Sequence, residues 1–347
     1  MNKAKVIFVG GFLGAGKTTL LWETAKRISK TGKTVGLITN DQAPDLVDTA
    51  LLQRDKVKVE EVSGSCFCCN FNGLAQSLNN LTDIDTVDVI IAEPVGSCTD
   101  LSATLLQPLK EKFNSQLTLS PLSVLISPQR LSDLIKGENG DLHPSAAYIV
   151  KKQLEEADMI LISKSDTVSG EELDELKRSA FAVFPNVEIL EISSHTGDGL
   201  DTWIDTVLTR TDAGLKIAEV DYDTYAEGEA VLGWLNGTVR LQGENVDWSK
   251  FLHTLLSSLS AQFDELKASV GHVKAIIEDV NSFVIGNITG KRATLTIKGT
   301  NPKSNSPTLT LNARVEMSHE ILESIVRDTV KKCSENIRHE IITLRSL

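Results

Sequence analysis

Gly11-Phe-Leu-Gly14-Ala-Gly16-Lys17-Thr18 fits the pattern G-x-x-x-x-G-K-[ST] at every position. The stretch follows an apolar run at residues 5–9 that reads as a strand and opens an amphipathic run at 17–29 that reads as a helix. That is the context in which this motif cradles phosphate. Glycines let successive backbone N–H groups turn inward, and the helix N-terminus adds its positive end. Lys17 can reach the β- and γ-phosphates, and the Thr18 hydroxyl can ligate Mg2+. The plain alternative is a glycine-rich turn with no ligand, and the strand–loop–helix context weighs against it. A nucleoside triphosphate site is the expectation.

Outward from the motif, short apolar runs alternate with helical patterns. Strands are expected at 34–39, 57–62, 87–92, 123–126, 159–162 and 187–192, with helices at 145–156 and 170–184. Alternating strands and helices predict an α/β fold, a mostly parallel sheet covered on both faces, with ligands at the carboxyl ends of its strands. Past about residue 211 the rhythm changes. Strands at 229–241, 273–278, 282–288, 293–297 and 308–315, a helix at 246–263 and a closing helix at 319–336 predict an α+β unit. The expected organisation is a P-loop domain over 1–212, an acidic, turn-rich linker over 213–228 and a smaller α+β domain over 229–347.

Composition narrows the partners. The 347 residues suggest about two domains, and a net charge of −12 argues against nucleic acid or an anionic membrane as the main partner. No apolar run approaches the ~20 residues that span a bilayer. Lys3 and Lys5 before residues 6–16 imitate a signal peptide, but Lys17 ends the run early and ordered glycines occupy it. A cytoplasmic location is expected. Cysteines there stay reduced, so three of the five within 66–69 point to metal or redox chemistry and not to a disulfide framework.

Several residues complete a candidate site. The run 87–93 is an apolar strand ending in Glu93, followed by Pro94-Val95-Gly96; an acid there can serve Mg2+ and order water, and Gly96 N–H can sense a γ-phosphate. The alternative is a surface acid that merely ends a strand. Asn40-Asp41 closes another strand at the same sheet end, so Asp41 can serve Mg2+ or a second metal, although Asn-Asp is also ordinary turn chemistry. Ser163-Lys164-Ser165-Asp166 follows the strand at 159–162. A carboxylate like Asp166 accepts from guanine N1–H and its exocyclic amine, and Lys164 can lie along the base. Ser163 stands where the guanine signature has Asn, so GTP is favoured and ATP stays a rival. The loop at 192–197 is in place to back the base.

Cys66-Phe67-Cys68-Cys69 offers soft thiolates suited to Zn2+, Co2+ or Ni2+. Asp41, Cys98 and His195 are candidates by type alone to complete such a site. A redox dithiol and a buried cysteine cluster are the competing readings, and Cys333 is a lone cysteine.

Taken together, GGFLGAGKTT, TND, SGSCFCC, IIAEPVG and LISKSD follow the order and spacing of the CobW-type P-loop GTPases, relatives of the HypB and UreG nickel-insertion GTPases. The chain resembles them over about residues 4–208, and its tail resembles the CobW-type C-terminal domain in length and pattern. The resemblance implies GTP hydrolysis, with Mg2+, coupled to delivery of Zn2+, Co2+ or Ni2+ to a client metalloenzyme or cofactor-assembly protein. It implies a monomer or a nucleotide- or metal-dependent homodimer. Carried over by position, it puts Gly11, Gly14, Ala15, Gly16, Lys17, Thr18 and Thr19 on phosphates and Mg2+ and makes Glu93 the Walker-B acid beside Lys17. Lys164 and Asp166 fall on guanine, and Cys66, Cys68 and Cys69 on the transported metal. Departures cluster near these motifs: Asn40-Asp41-Gln42-Ala43 replaces the usual Asn-Glu-Phe-Gly, Ser65 intervenes before Cys66, and Pro94-Val95 stand where Thr or Ser is typical. The alternative is a GTPase that gates a cofactor-dependent enzyme, for example a corrinoid protein, without carrying metal.

Overall fold

The computed structural model of the chain describes residues 3–41, 58–63, 66–67, 70–84, 87–280, 282–288 and 295–346. They fall into two compact units. The first takes in the described residues up to Ala226 except Asp141–His143; the second contains Asp141–His143 and Glu227 onward.

The first unit contains β1 (Ala4–Gly11), β2 (Val35–Asp41), β3 (Lys58–Ser63), β4 (Val89–Glu93), β5 (Leu117–Leu119), β6 (Ser123–Ile126), β7 (Met159–Ile162) and β8 (Glu188–Glu191). Its helices are α1 (Lys17–Lys30), α2 (Phe71–Asn79), α3 (Gln107–Lys112), α4 (Pro128–Ile135), α5 (Pro144–Glu155), α6 (Gly170–Val183) and α7 (Leu200–Thr209), and α8 (Tyr222–Ala230) begins in this unit and ends in the second. The strands form one parallel sheet in the order β3-β2-β4-β1-β6-β7-β8, with β5 pairing the start of β1. Every residue of β1 is buried, as a central strand covered on both faces demands of an unbroken apolar run. On one face α1 buries Leu20, Leu21, Ala25 and Ile28 in a core shared with Ile7, Val9, Ile91 and Trp203. Each such leucine or isoleucine contributes about 1.5–3 kcal/mol of burial. The connections reverse direction at β1, the switch point where open parallel sheets take ligands at their carboxyl ends.

The second unit is antiparallel. Its strands are β9 (Leu232–Gln242), β10 (Val270–Glu278), β11 (Phe283–Ile288), β12 (Thr296–Gly299), β13 (Thr308–Glu316) and β14 (Arg338–Ser346), ordered β12-β11-β10-β13-β9-β14. The helices α9 (Trp248–Glu265) and α10 (His319–Cys333) share one core with a single face of this sheet, joining Leu255, Leu259, Leu322 and Val326 to Leu235, Val273 and Leu311. The mostly parallel P-loop sheet followed by a separate α+β unit is the predicted fold class.

Three local expectations need correction. The closing helix ends at Cys333, and the chain goes on into β14, which pairs with β9 at the sheet edge. A register shift between Ile341 and Thr343 breaks the two-residue alternation that would have revealed this strand. Residues 222–230 of the acidic stretch form α8 and not a turn-rich linker, and β9 therefore starts at Leu232, not at residue 229. Only Gly228 of α8 is buried, so no apolar stripe announces that helix.

Candidate functional site

The turn between β1 and α1 is fixed by its neighbours. Gly11 has φ 126°, and a Cβ there would come within 2.5 Å of the Leu125 carbonyl oxygen on β6, so only glycine lets the loop leave the sheet at this point. Phe12, Leu13 and Ala15 are buried, and Ala15 N–H donates to the Phe12 carbonyl at 3.1 Å. Gly16 precedes α1 with no side-chain cap, and the first turn of α1 holds no acid, so its amide end is left to an anionic ligand. Lys17 and Thr18 are buried, whereas Thr19 is exposed.

Glu93 ends β4, next to β1 in the sheet, and its carboxylate reaches the loop. Thr18 Oγ1 donates to it, at 2.9 Å from Oε2 and 3.2 Å from Oε1, and Lys17 Nζ stands 3.7 Å from Oε1. A hydroxyl, an ammonium and a carboxylate from two neighbouring strand ends thus converge. Asp41 ends β2 at the same end of the sheet, two residues beyond Thr39, the register partner of Glu93; its side chain lies outside the described residues.

The base end is built at β7 and β8. Lys164 adopts φ 54° and ψ 37°, and burial pushes its ammonium down from the usual lysine range, with the Arg130 charge adding to the effect. Asp166 accepts from Ser193 Oγ at 2.6 Å and lies 3.6 Å from His195 Nδ1. Ser193 Oγ in turn accepts from His195 N–H and Thr196 N–H at 3.2 and 3.1 Å. The loop at 192–197 therefore aims Asp166, and His195 stands with it. Ser163, in the signature's Asn position, is buried and donates from Oγ to the Ile126 carbonyl at 3.2 Å, tying β7 to β6.

The cysteine segment is anchored by a residue given no separate role in the sequence reading. Asn40 is buried; its Nδ2 donates to the Val62 carbonyl and its Oδ1 accepts from Phe67 N–H, each at 2.8 Å. Phe67 is fully buried, and Asn70 N–H donates to the Cys66 carbonyl at 2.8 Å. Cys66 is thereby held at the carboxyl ends of β2 and β3, while Cys68 and Cys69 lie outside the described residues. Among the described residues no three His, Cys, Asp or Glu side chains gather as a metal site, and Cys66, Cys98 and Cys333 form no disulfide there.

Arg130 is another residue that motif reading passed over. It projects from α4 onto the phosphate loop, donating to the Leu13 carbonyl with its guanidinium 5.3 Å from the Phe12 ring centre. No motif spacing marks it, since the contact joins positions far apart in the chain.

The profile of the CobW/HypB/UreG nucleotide-binding domain matches residues 5–191. The zinc chaperone YjiA of Escherichia coli is 30% identical over 173 residues, 49% of this chain and 52% of that protein. The zinc-regulated GTPase metalloprotein activator 1 of Schizosaccharomyces pombe is 23% identical over 214 residues, 59% of this chain and 49% of its own length. The chain spans about half the length of the curated relatives it matches. Among solved structures, HypB from Helicobacter pylori in complex with nickel aligns with TM-score 0.44 at 18% identity, covering 60% of this chain and 86% of that one.

Proposed function

This chain belongs to the CobW/HypB/UreG family, and from that premise we propose that it hydrolyses GTP and uses the cycle to bind and release a divalent transition metal for a client protein. The observation that carries the reading is the convergence of Lys17, Thr18 and Glu93 at the mouth of the phosphate loop. Thr18 Oγ1 and the Glu93 carboxylate are hard oxygen donors 2.9 Å apart, a set that suits Mg2+. When bound there, Mg2+ supplies charge neutralisation at the β- and γ-phosphates. Lys17 places its ammonium on the same phosphates, Glu93 orders the attacking water, and the glycine-rich backbone holds the departing diphosphate. Guanine recognition is assigned to Asp166, aimed by Ser193, with Lys164 along the base.

The transported metal is assigned to the thiolates of Cys66, Cys68 and Cys69, soft ligands that favour Zn2+, Co2+ or Ni2+ over Mg2+. Support comes from Asn40, which fixes Phe67 and with it the start of the motif to the sheet end that carries Glu93. The names of the relatives favour zinc as the cargo. Three cysteines clustered at 66–69 fit a cytoplasmic setting in which thiols stay reduced, and no helix among the described residues is long and apolar enough to cross a membrane.

Steady-state phosphate release from GTP and from ATP tests the hydrolytic half. Hydrolysis of GTP that depends on Mg2+ and exceeds ATP hydrolysis is expected; no hydrolysis of either contradicts the assignment.

A further inference from the structure

The segment that follows Glu93 is packed on the phosphate loop. A Cβ placed on Gly96 would come within 2.6 Å of Leu13 Cδ2 and 3.1 Å of Lys17 Nζ, so the Gly96 backbone lies against both. The segment's grip from the other side comes from α5. Gln153 is buried, and its Nε2 donates to the carbonyls of Gly96 at 3.0 Å and Cys98 at 2.7 Å. The orientation of the amide is fixed by chemistry, because turning it over would set Oε1 against two carbonyl oxygens. In the orientation adopted, Oε1 is buried and has no hydrogen-bond donor among the described residues. A bare buried acceptor costs about 1–3 kcal/mol. A residue needed only for packing would be Leu or Met, so the two donors are what this position supplies.

Beyond Cys98 the hold continues. Glu156, fully buried just after α5, accepts from Ser102 N–H at 2.9 Å and from Thr99 Oγ1 at 3.3 Å. Between them stands Asp100, buried and at φ 61°, a left-handed conformation that few non-glycine residues adopt. Its Oδ2 accepts from Tyr222 OH at 2.5 Å, the first residue of α8. Tyr148, also on α5, accepts a hydrogen bond at its hydroxyl from Asp221 N–H at 2.6 Å. One helix thus holds both the segment 94–102 and the start of α8.

We propose that Gln153 is a positioning residue of the nucleotide site, holding residues 94–102 in place against the phosphate loop so that they answer to the γ-phosphate, and that Asp100 and Tyr222 extend this hold to α8. The inference rests on the triphosphate reading and adds to it a residue outside every phosphate-binding motif. Gln153 acts through Gly96 and does not touch the nucleotide. Its effect belongs to the γ-phosphate alone, because GDP is held by the loop and the base site.

The test compares affinities for Mg2+–GDP and for a Mg2+-bound non-hydrolysable GTP analogue in the full chain. In Gln153→Met the analogue is expected to weaken ~10-fold, the loss of two hydrogen bonds, while GDP affinity stays within about two-fold. Tyr222→Phe, at a residue 59% exposed, keeps the chain folded and is expected to weaken the analogue about 3-fold with GDP unchanged. Parallel losses for both nucleotides would mark Gln153 as a structural residue, and unchanged affinities in both variants would equally overturn the proposal. If the unmodified chain binds neither nucleotide, the triphosphate reading itself fails, a result distinct from either.

Discussion

At the scale of single residues, the chemistry rests on oxygen and nitrogen atoms that meet from separate strand ends. Thr18 and Lys17 share the Glu93 carboxylate, so removing its charge should spare the fold and strike the reaction. Glu93→Gln is expected to lower kcat for GTP by ~100-fold or more while GDP affinity changes little, read by single-turnover phosphate release beside equilibrium binding. Asp166 depends on a neighbour that no guanine signature names: Ser193 Oγ holds its carboxylate at 2.6 Å. Ser193→Ala removes about 1 kcal/mol of hydrogen bonding at that carboxylate. Its expected consequence is a ~5-fold loss of GTP over ATP preference, measured by competition between the two nucleotides.

At the scale of elements, the strands and the phosphate loop were legible because their signals are local. The apolar run of β1, the glycine spacing and the helix pattern of α1 sit side by side in the chain, and Glu93 stands out as a candidate because a buried strand ends on it. What stayed hidden is held together by distant contacts. Asn40 reaches Val62 and Phe67, Arg130 reaches Leu13, and Gln153 reaches Gly96 and Cys98, pairings that no spacing rule encodes. The edge strand β14 escaped because its register shift spoils the alternation, and α8 because it buries almost nothing. The roles of Asn40 are testable. Asn40→Ala is expected to cost about 1–3 kcal/mol of stability and to weaken binding of the transition metal ~10-fold with GDP affinity retained, since it frees Phe67 from β2.

The end of α5 makes a prediction about pH. Burial, with the Asp100 charge adding to it, pushes the Glu156 carboxyl from 4.5 up to about 8. The folded chain therefore keeps a proton that the unfolded chain releases between those values. Its contribution to stability is full below the unfolded value and declines as pH rises through the folded one, by up to about 1.4 kcal/mol per pH unit. Glu156→Gln, which keeps an acceptor for Ser102 N–H but does not titrate, is expected to flatten the fall in urea midpoint between about pH 5 and about pH 8. An unchanged slope would mean that other groups set it.

At the scale of the whole molecule, the claim is that nucleotide and transition metal are coupled. Phe67, inside the cysteine motif, is pinned by Asn40 to the same sheet end that carries Glu93, which on the proposed reading lets order imposed by a γ-phosphate on one reach the other. Coupling of this kind is reciprocal: the factor by which the GTP form tightens the metal is the factor by which metal tightens GTP. The most direct measurement is a chelator competition for Zn2+, Co2+ and Ni2+ on the reduced full chain, with Mg2+–GDP and with a Mg2+-bound non-hydrolysable GTP analogue. Metal affinity at least ~10-fold higher with the analogue, a coupling of about 1.4 kcal/mol, is the expected result. Equal affinities in the two nucleotide states, or no binding in either, would contradict the metallochaperone reading and leave the hydrolytic site serving a conformational task.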